Sequence, residues 1–261
     1  MKTIAVIPAR YRSSRLPGKP LSPIEGRSMI EHVVTRAQSA ATLDSVLVAT
    51  DDKRIYDDVT SFGGKVVMTS PDHVSGTDRV AEACQSLEAD FVVNLQGDEP
   101  LIATEAIDDA VRLAHEHPEA IATLKYELRQ TSELLSPHVV KVVATPDGRA
   151  LYFSRSPIPH LPRDAADELP AGTYFKHIGL YVYPLAILQR VAQLAPSPLE
   201  EQERLEQLRA LEAGIEIRVT ETGYDSISVD TQSDLDRVRE LVLQAESSHQ
   251  GKGASNGTTE R

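Results

Sequence analysis

The chain has 261 residues, 41% of them apolar, and a formal net charge of −12 from 39 acidic and 27 basic side chains. That composition suits a globular protein with a real core, in one large α/β domain or two smaller ones. It excludes a nucleic-acid binder working through a broad basic face, because phosphate neutralisation supplies most of such affinity, and the single Cys84 excludes an internal disulfide or a thiolate metal cluster.

The first element in chain order is the apolar run Ile4 to Ile7, which reads as a strand. It leads into a loop that carries Arg10, Arg12, Arg15 and Lys19 and is stiffened by Pro8, Pro17 and Pro20. In so acidic a chain this cation cluster is not background, and open parallel sheets bind ligands in the loops beyond their strand ends. A triphosphate is the expected occupant. The apolar run is too short for a signal-peptide core or a membrane span, so a soluble, cytoplasmic protein is expected.

Ser28 and Glu31 stand at capping-box spacing ahead of Ile30, Val33, Val34, Ala37 and Ala41, which recur as the buried face of a helix. Val46 to Ala49 then reads as a strand ending in Thr50-Asp51-Asp52, followed by a helix over about 53–62 that Gly63-Gly64 stops. Lys65 to Met68 is a third strand. Ser75-Gly76-Thr77-Asp78-Arg79 opens the next helix with Ser75 and Asp78 at capping-box spacing, and Cys84 shares that helix's buried face with Val80 and Leu87. A helix N-terminus offers unpaired N–H groups to an acceptor-rich ligand, although capping alone would account for Ser75 and Asp78.

Phe91 to Leu95 is the next buried strand, and it delivers Gln96-Gly97-Asp98-Glu99-Pro100 to the same edge of the sheet. Two adjacent carboxylates facing a cationic loop suit a divalent metal, since Mg²⁺ takes one or two carboxylates plus substrate phosphate oxygens. Alternation of strands and helices predicts a parallel sheet covered on both faces.

After a helix over about 104–115 the rhythm changes. Strands near 120–126 and 139–144 are followed by the turn Thr145-Pro146-Asp147-Gly148 and a strand over 150–154, so 139–154 reads as a hairpin. The prolines of 156–162 interrupt the sheet, and 173–183 alternates as a long strand. Tyr152, Phe153, Tyr174, Phe175, Tyr181 and Tyr183 are half of the chain's aromatic residues, a concentration that suits a partner interface, a sugar face or a second small core. Ser197 and Pro198 open a helix with the stripe Leu205, Leu208 and Leu211, which leaves Glu206 and Gln207 on another side before Gly214 ends it. A strand over 215–219 follows. Asp230 then precedes Thr231 and Asp234, another capping-box pair, on a helix whose face is Leu235, Val238 and Val242. Residues 1–246 read as one domain, and 247–261, with no apolar side chain larger than alanine, as a disordered tail.

Residues 7–21, Ala49 to Asp52, Ser75 to Arg79, Asn94 to Pro100, Tyr152 to Pro159, Lys176 to Tyr181, Leu205 to Arg209 and Val229 to Thr231 occur in the order of one family. Over about residues 1–245 the chain resembles the 3-deoxy-D-manno-octulosonate cytidylyltransferases, or CMP-Kdo synthetases. The related sialic acid enzymes share the opening Pro-Ala-Arg but usually follow it with a Gly-Ser-Lys-Gly type of run, where this chain has Arg15-Leu16-Pro17-Gly18-Lys19.

The resemblance implies a three-layer α/β nucleotidyltransferase (Rossmann-like) fold with a mixed sheet and a β-rich dimerisation segment at about 139–183. It implies an enzyme that joins CTP and the sugar acid Kdo into CMP-Kdo and pyrophosphate, supplying activated sugar for lipopolysaccharide, as a homodimer that uses Mg²⁺ and binds neither nucleic acid nor membrane. Carried over residue by residue, Arg10, Arg15 and Lys19 would bind the triphosphate, and Ser75, Thr77 and Asp78 would lie near the cytidine. Asp98 and Asp230 would hold Mg²⁺ and share with Arg15 and Lys19 the catalytic work. Gln96, His177, Tyr181, Glu206 and Gln207 would contact the sugar, joined by Arg79 and Arg155. The alternatives are a cytidylyltransferase for 8-amino-Kdo or another sugar acid, and a catalytically silent sensor of CTP or CMP-sugar.

Overall fold

The computed structural model describes residues 1–12, 15–73, 75–162, 166–225 and 227–253. Its organising strand is β1 (Thr3–Ala9), whose side chains alternate between two cores: Ala5, Ile7 and Ala9 enter one, Ile4 and Val6 the other. Each fully buried Ile or Val of this kind contributes about 1.5–3 kcal/mol, which is why an uninterrupted apolar run settles at the centre of a sheet covered on both faces.

A short antiparallel pair, β2 (Pro23–Ile24) and β3 (Arg27–Ser28), leads to α1 (Met29–Gln38), and then come β4 (Ser45–Thr50), α2 (Lys53–Ser61) and β5 (Val66–Met68). The chain continues through α3 (Gly76–Ala83), β6 (Phe91–Asn94), α4 (Thr104–Glu116), β7 (Ile121–Glu127) and α5 (Thr131–Leu135). The hairpin β8 (Lys141–Ala144) and β9 (Ala150–Ser154) precedes β10 (Phe175–Pro184) and α6 (Leu185–Ala192). The last elements are α7 (Pro198–Glu203), α8 (Gln207–Glu212), β11 (Ile217–Glu221) and α9 (Gln232–Gly253).

The main sheet runs β11-β7-β10-β6-β1-β4-β5, with β8 joined to β10 and β9 to β8. The pairs β1–β4, β1–β6, β4–β5 and β11–β7 are parallel, whereas β10 lies antiparallel between β6 and β7, so the sheet is mixed. From β1 the chain moves outward to β4 and β5, then returns to set β6 on the other side of β1. The loops after β1 and β6 therefore leave the centre of the sheet side by side, the position at which such sheets bind ligands. Helices α1, α2 and α4 cover one face and α3, α6 and α8 the other. Separately, Leu235, Val238 and Val242 of α9 pack on Ile24, Met29 and Val229, which ties the end of the chain to its beginning.

Two expectations are corrected. Residues expected to form one helix from Ser197 form α7 and α8, broken at Arg204, whose φ of 56° is left-handed. A continuous helix would present Glu203 and Glu206 on one face. Here they serve different partners: Glu203 accepts from Ser154 Oγ (2.6 Å) and the Arg155 N–H (2.9 Å), and Glu206 accepts from Thr77 Oγ1 (2.9 Å). A bidentate pair between Arg209 and Glu200 (2.6 and 2.7 Å) holds the two halves together. The second correction concerns the tail. Helix α9 continues through 247–253, because extending a helix already docked by its apolar face costs little beside nucleating one; residues 254–261 lie outside the described residues. Among the described residues no helix is long and apolar enough to cross a membrane.

Candidate active site

The loop after β1 is held by packing as well as by its prolines. Gly18 adopts φ +70°, and a Cβ there would come within 3.1 Å of the Tyr11 ring; its N–H donates to the Tyr11 carbonyl at 2.9 Å. The Arg54 guanidinium lies 3.2 Å from the centre of the same ring. A single 3-10 turn, Lys19–Leu21, follows and directs the Lys19 ammonium back over the sheet edge. Arg10, at the end of β1, donates to the Ser75 carbonyl at 2.7 Å, and burial and the neighbouring Arg79 push its guanidinium below its ordinary value.

Two distant segments converge on Lys19. Asp98 comes from the loop after β6, where Gly97 passes so close to β1 that a Cβ would sit 3.1 Å from the Pro8 carbonyl oxygen. Asp230 comes from the approach to α9, and the N–H of the preceding Val229 donates to the Asp98 carbonyl at 2.9 Å. Lys19 Nζ is 2.6 Å from Asp98 Oδ2 and 3.4 Å from Asp230 Oδ1, so the two carboxylate oxygens are no further apart than the sum of those distances. Arg15 adds a second contact to Asp230 Oδ1 at 3.0 Å. Arg10, Arg12, Arg15, Lys19, Gln96, Asp98 and Asp230 all line one cleft of about 370 Å³, with Gly76 and Gly97 in its wall.

Among the described residues no group of three or more His, Cys, Asp or Glu side chains could hold a metal ion by itself. Two carboxylates that share one ammonium are chemically compatible with the way Mg²⁺ binds, through one or two carboxylates completed by water and substrate phosphate oxygens.

A second, smaller cavity of about 80 Å³ lies between Tyr181, Tyr183, Glu206, Gln207 and apolar neighbours. Thr77 Oγ1 donates to Glu206 Oε2 and accepts from Asn94 Nδ2 at 3.4 Å. The far ends of that chain, Asn94 Oδ1 and Glu206 Oε1, are buried with no hydrogen-bond partner. Of these two orphaned acceptors Glu206 Oε1 belongs to a residue that lines the cavity, and an acceptor of that kind calls for a ligand that brings a donor. Burial pushes the Glu206 carboxyl above its usual range, opposed by Ser75, Thr77 and Arg209.

His177 neighbours this cavity, its ring 5.2 Å from that of Tyr181 and 4.9 Å, edge-on, from Phe153. Burial pushes the imidazole down from 6.5 to about 3. A histidine lowered on folding leaves the unfolded chain as the better proton acceptor between those values, so its stability contribution is complete above about pH 6.5 and is lost as pH falls. Thermal unfolding from pH 7 to pH 5 should accordingly show a shallower loss for His177→Gln than for the parent, by at most about 1.4 kcal/mol per pH unit. Parallel slopes would refute an imidazole held neutral by the fold.

The remaining candidate residues line neither the cleft nor the small cavity. Ser75 and Asp78 bond each other in a complete capping box, at 3.0 and 3.1 Å, so those atoms are engaged in the helix start. Arg79 is fully buried and paired with Asp51 at 2.8 Å and with Thr69; it supports the site from beneath and does not line either cavity. Arg155 bonds the carbonyls of Glu203 (2.9 Å) and Pro137 (3.0 Å), a structural tie at the end of β9. Cys84 is 1% exposed, and burial pushes its thiol up to about 12. Neither Asn94 nor Tyr183 takes a site role from the sequence: Asn94 stands only as the start of the motif Asn94 to Pro100, an amide closing an otherwise apolar strand, and Tyr183 only as one of the clustered aromatic residues.

Sheet order and cleft together define a nucleotidyltransferase: a parallel sheet edge with cations on one side and two carboxylates on the other. The cytidylyltransferase family profile matches residues 4–217. The 3-deoxy-manno-octulosonate cytidylyltransferase of Pelobacter propionicus is 51% identical over 248 residues, covering 92% of this chain and 97% of its own, and that of Syntrophotalea carbinolica is 52% identical over 243 residues, covering 91% and 97%. A solved structure of CMP:2-keto-3-deoxy-manno-octonic acid synthetase complexed with CTP superposes with a TM-score of 0.88 at 46% identity, covering 94% of this chain and 100% of that one. The chain belongs to the cytidylyltransferase family, and within it to the 3-deoxy-manno-octulosonate cytidylyltransferases.

Proposed function

We propose that this protein joins CTP to 3-deoxy-manno-octulosonate, giving CMP-Kdo and pyrophosphate and so activating the sugar acid for lipopolysaccharide synthesis. The observation that carries the reading is the meeting of Asp98, Asp230 and Lys19 in one cleft beneath Arg10, Arg12 and Arg15. In this reaction a sugar hydroxyl attacks the α-phosphorus of CTP while pyrophosphate leaves, and both reactants are anions. Charge neutralisation and positioning are therefore the main tasks, and no covalent nucleophile is required. Arg10, Arg15 and Lys19 take the triphosphate charge. Asn94 Oδ1 and Glu206 Oε1, both lacking donors, suit the hydroxyl groups of a sugar. Mg²⁺ held by Asp98 and Asp230 would lower the pKa of the attacking hydroxyl and offset phosphate charge.

Pyrophosphate release from CTP, assayed with Kdo, 8-amino-Kdo and a sialic acid in parallel, tests the assignment. Release with Kdo alone supports it. Preference for 8-amino-Kdo or sialic acid would replace the substrate, and absence of release with all three would favour a sensor of CTP or CMP-sugar.

We place the protein in the cytoplasm as a homodimer paired through about 139–183. Support comes from β8 and β9, which stand outside the main path of the sheet, and from Leu151, 55% exposed on β9, which pairs with β8 and leaves its other edge free of a named strand among the described residues. Size-exclusion with light scattering at micromolar concentration should give twice the chain mass of 28.5 kDa. A clean monomer would remove the pairing.

A further inference from the structure

Strand register sets Asn94, Tyr181 and Thr123 in one row across β6, β10 and β7, on the face that carries the small cavity. Beside that row the pairing of β10 with β7 slips between Ile178 and Tyr181. Such a bulge leaves strand carbonyls without ladder partners. The Thr123 side chain, fully buried, fills the gap: its Oγ1 lies 2.7 Å from the Leu180 carbonyl, 3.2 Å from the Ile178 carbonyl and 2.9 Å from His177 Nε2.

A hydroxyl has one proton to give. Two oxygens 2.7 Å apart need a proton between them, so that of Thr123 goes to Leu180. The Thr123 oxygen is then an acceptor toward His177, and Nε2 must carry the hydrogen. A ring held neutral by its surroundings has its second nitrogen bare. Nδ1 has no hydrogen-bond partner among the described residues, and the imidazole stands next to Tyr181, which lines the cavity with Glu206 and Gln207.

We propose that Thr123 is a positioning residue that locks His177 in the Nε2–H tautomer, so that Nδ1 stands as an acceptor for a hydroxyl of the sugar acid. The inference rests on the sugar-acid reading of this pocket. It assigns to a buried threonine, which cannot touch substrate itself, control over how a neighbouring ring meets substrate. The backbone supports the same arrangement, since the His177 N–H donates to the Val140 carbonyl at 2.8 Å and prevents the residue from sliding along β10.

Nitrogen-15 NMR of the full-length protein labelled at histidine reads the tautomer directly, with the His177 signal identified by its loss in His177→Gln. The parent should show Nε2–H with or without ligand. Thr123→Val, close in shape but without the hydroxyl, should lose that single tautomer and raise the KM for the sugar acid about tenfold, while kcat and the KM for CTP stay within about twofold. Thr123→Ser should restore both the tautomer and the KM, which a purely space-filling role would not require. An Nδ1–H tautomer in the parent overturns the proposal, and so does a tautomer that Thr123→Val leaves unchanged. If the tautomer responds but the KM for the sugar acid does not, the substrate role of His177 falls while the hydroxyl network stands, which separates failure of the pocket reading from failure of the geometry.

Discussion

Asp98→Asn and Asp230→Asn should each lower turnover on the order of 10²–10³-fold, the usual scale for removing one preorganised charge or donor at a reacting phosphate or carbonyl. Asn keeps the shape of Asp and removes only its charge, so the fold should survive. Both side chains are partly exposed, at 28% and 39%, and their ion pairs to Lys19 and Arg15 are of the kind that contributes little to stability. Because the two carboxylates meet at one ammonium group, either loss disables the same centre. The double variant should therefore be scarcely worse than the weaker single variant, and the effects should be far from additive. Steady-state kinetics of the two single variants and the double variant, with CTP and sugar acid both saturating, checks this. Multiplicative losses would mean that the two residues act separately.

Lys19→Ala should reduce kcat/KM for CTP by about 10–100-fold, in keeping with about 1.5–3 kcal/mol for hydrogen bonds to a charged group. Lys19 is the cation nearest both carboxylates and is only 14% exposed at its side chain. Arg15→Ala should lose less, since Arg15 is 59% exposed and has a single contact to Asp230. Neither change should cost stability on the scale of the lost turnover, and for the exposed Arg15 pair the shift should stay within about 1 kcal/mol. Comparing initial rates at subsaturating CTP with melting temperatures separates the two effects. Parental rates in Lys19→Ala would show that the cation is merely solvated, and a collapse in melting temperature would show that it serves the fold.

Much of the cleft was legible because its signals are local. An apolar run followed by charged loop residues says that a strand ends and a polar edge begins, and this holds for Arg10 to Lys19 after β1 and for Gln96 to Glu99 after β6. Capping-box spacing located the starts of α3 and α7, and the complete boxes at Ser75 and Ser197 follow from orphan N–H groups that any helix start must satisfy. The role of Arg79 was not legible. Its charge marks it as a ligand group, yet only the position of Asp51, 28 residues away in the chain, explains how a guanidinium can be fully buried.

By itself the sequence determined that a parallel α/β sheet would end in a cationic loop facing acidic residues, and its motif order pointed to the family. These depend on residue type and near-neighbour spacing, which govern backbone conformation and which side faces the core. Only the tertiary structure decided that β10 inserts antiparallel between β6 and β7, and that the helix from Ser197 breaks so that Glu206 reaches Thr77. Only it brought Asp230 to Lys19 across 211 residues of chain and left Asn94 Oδ1 without a donor. Such features depend on which distant segments share buried surface. Periodicity reports which face of an element is apolar, but it is silent about the partner that covers it.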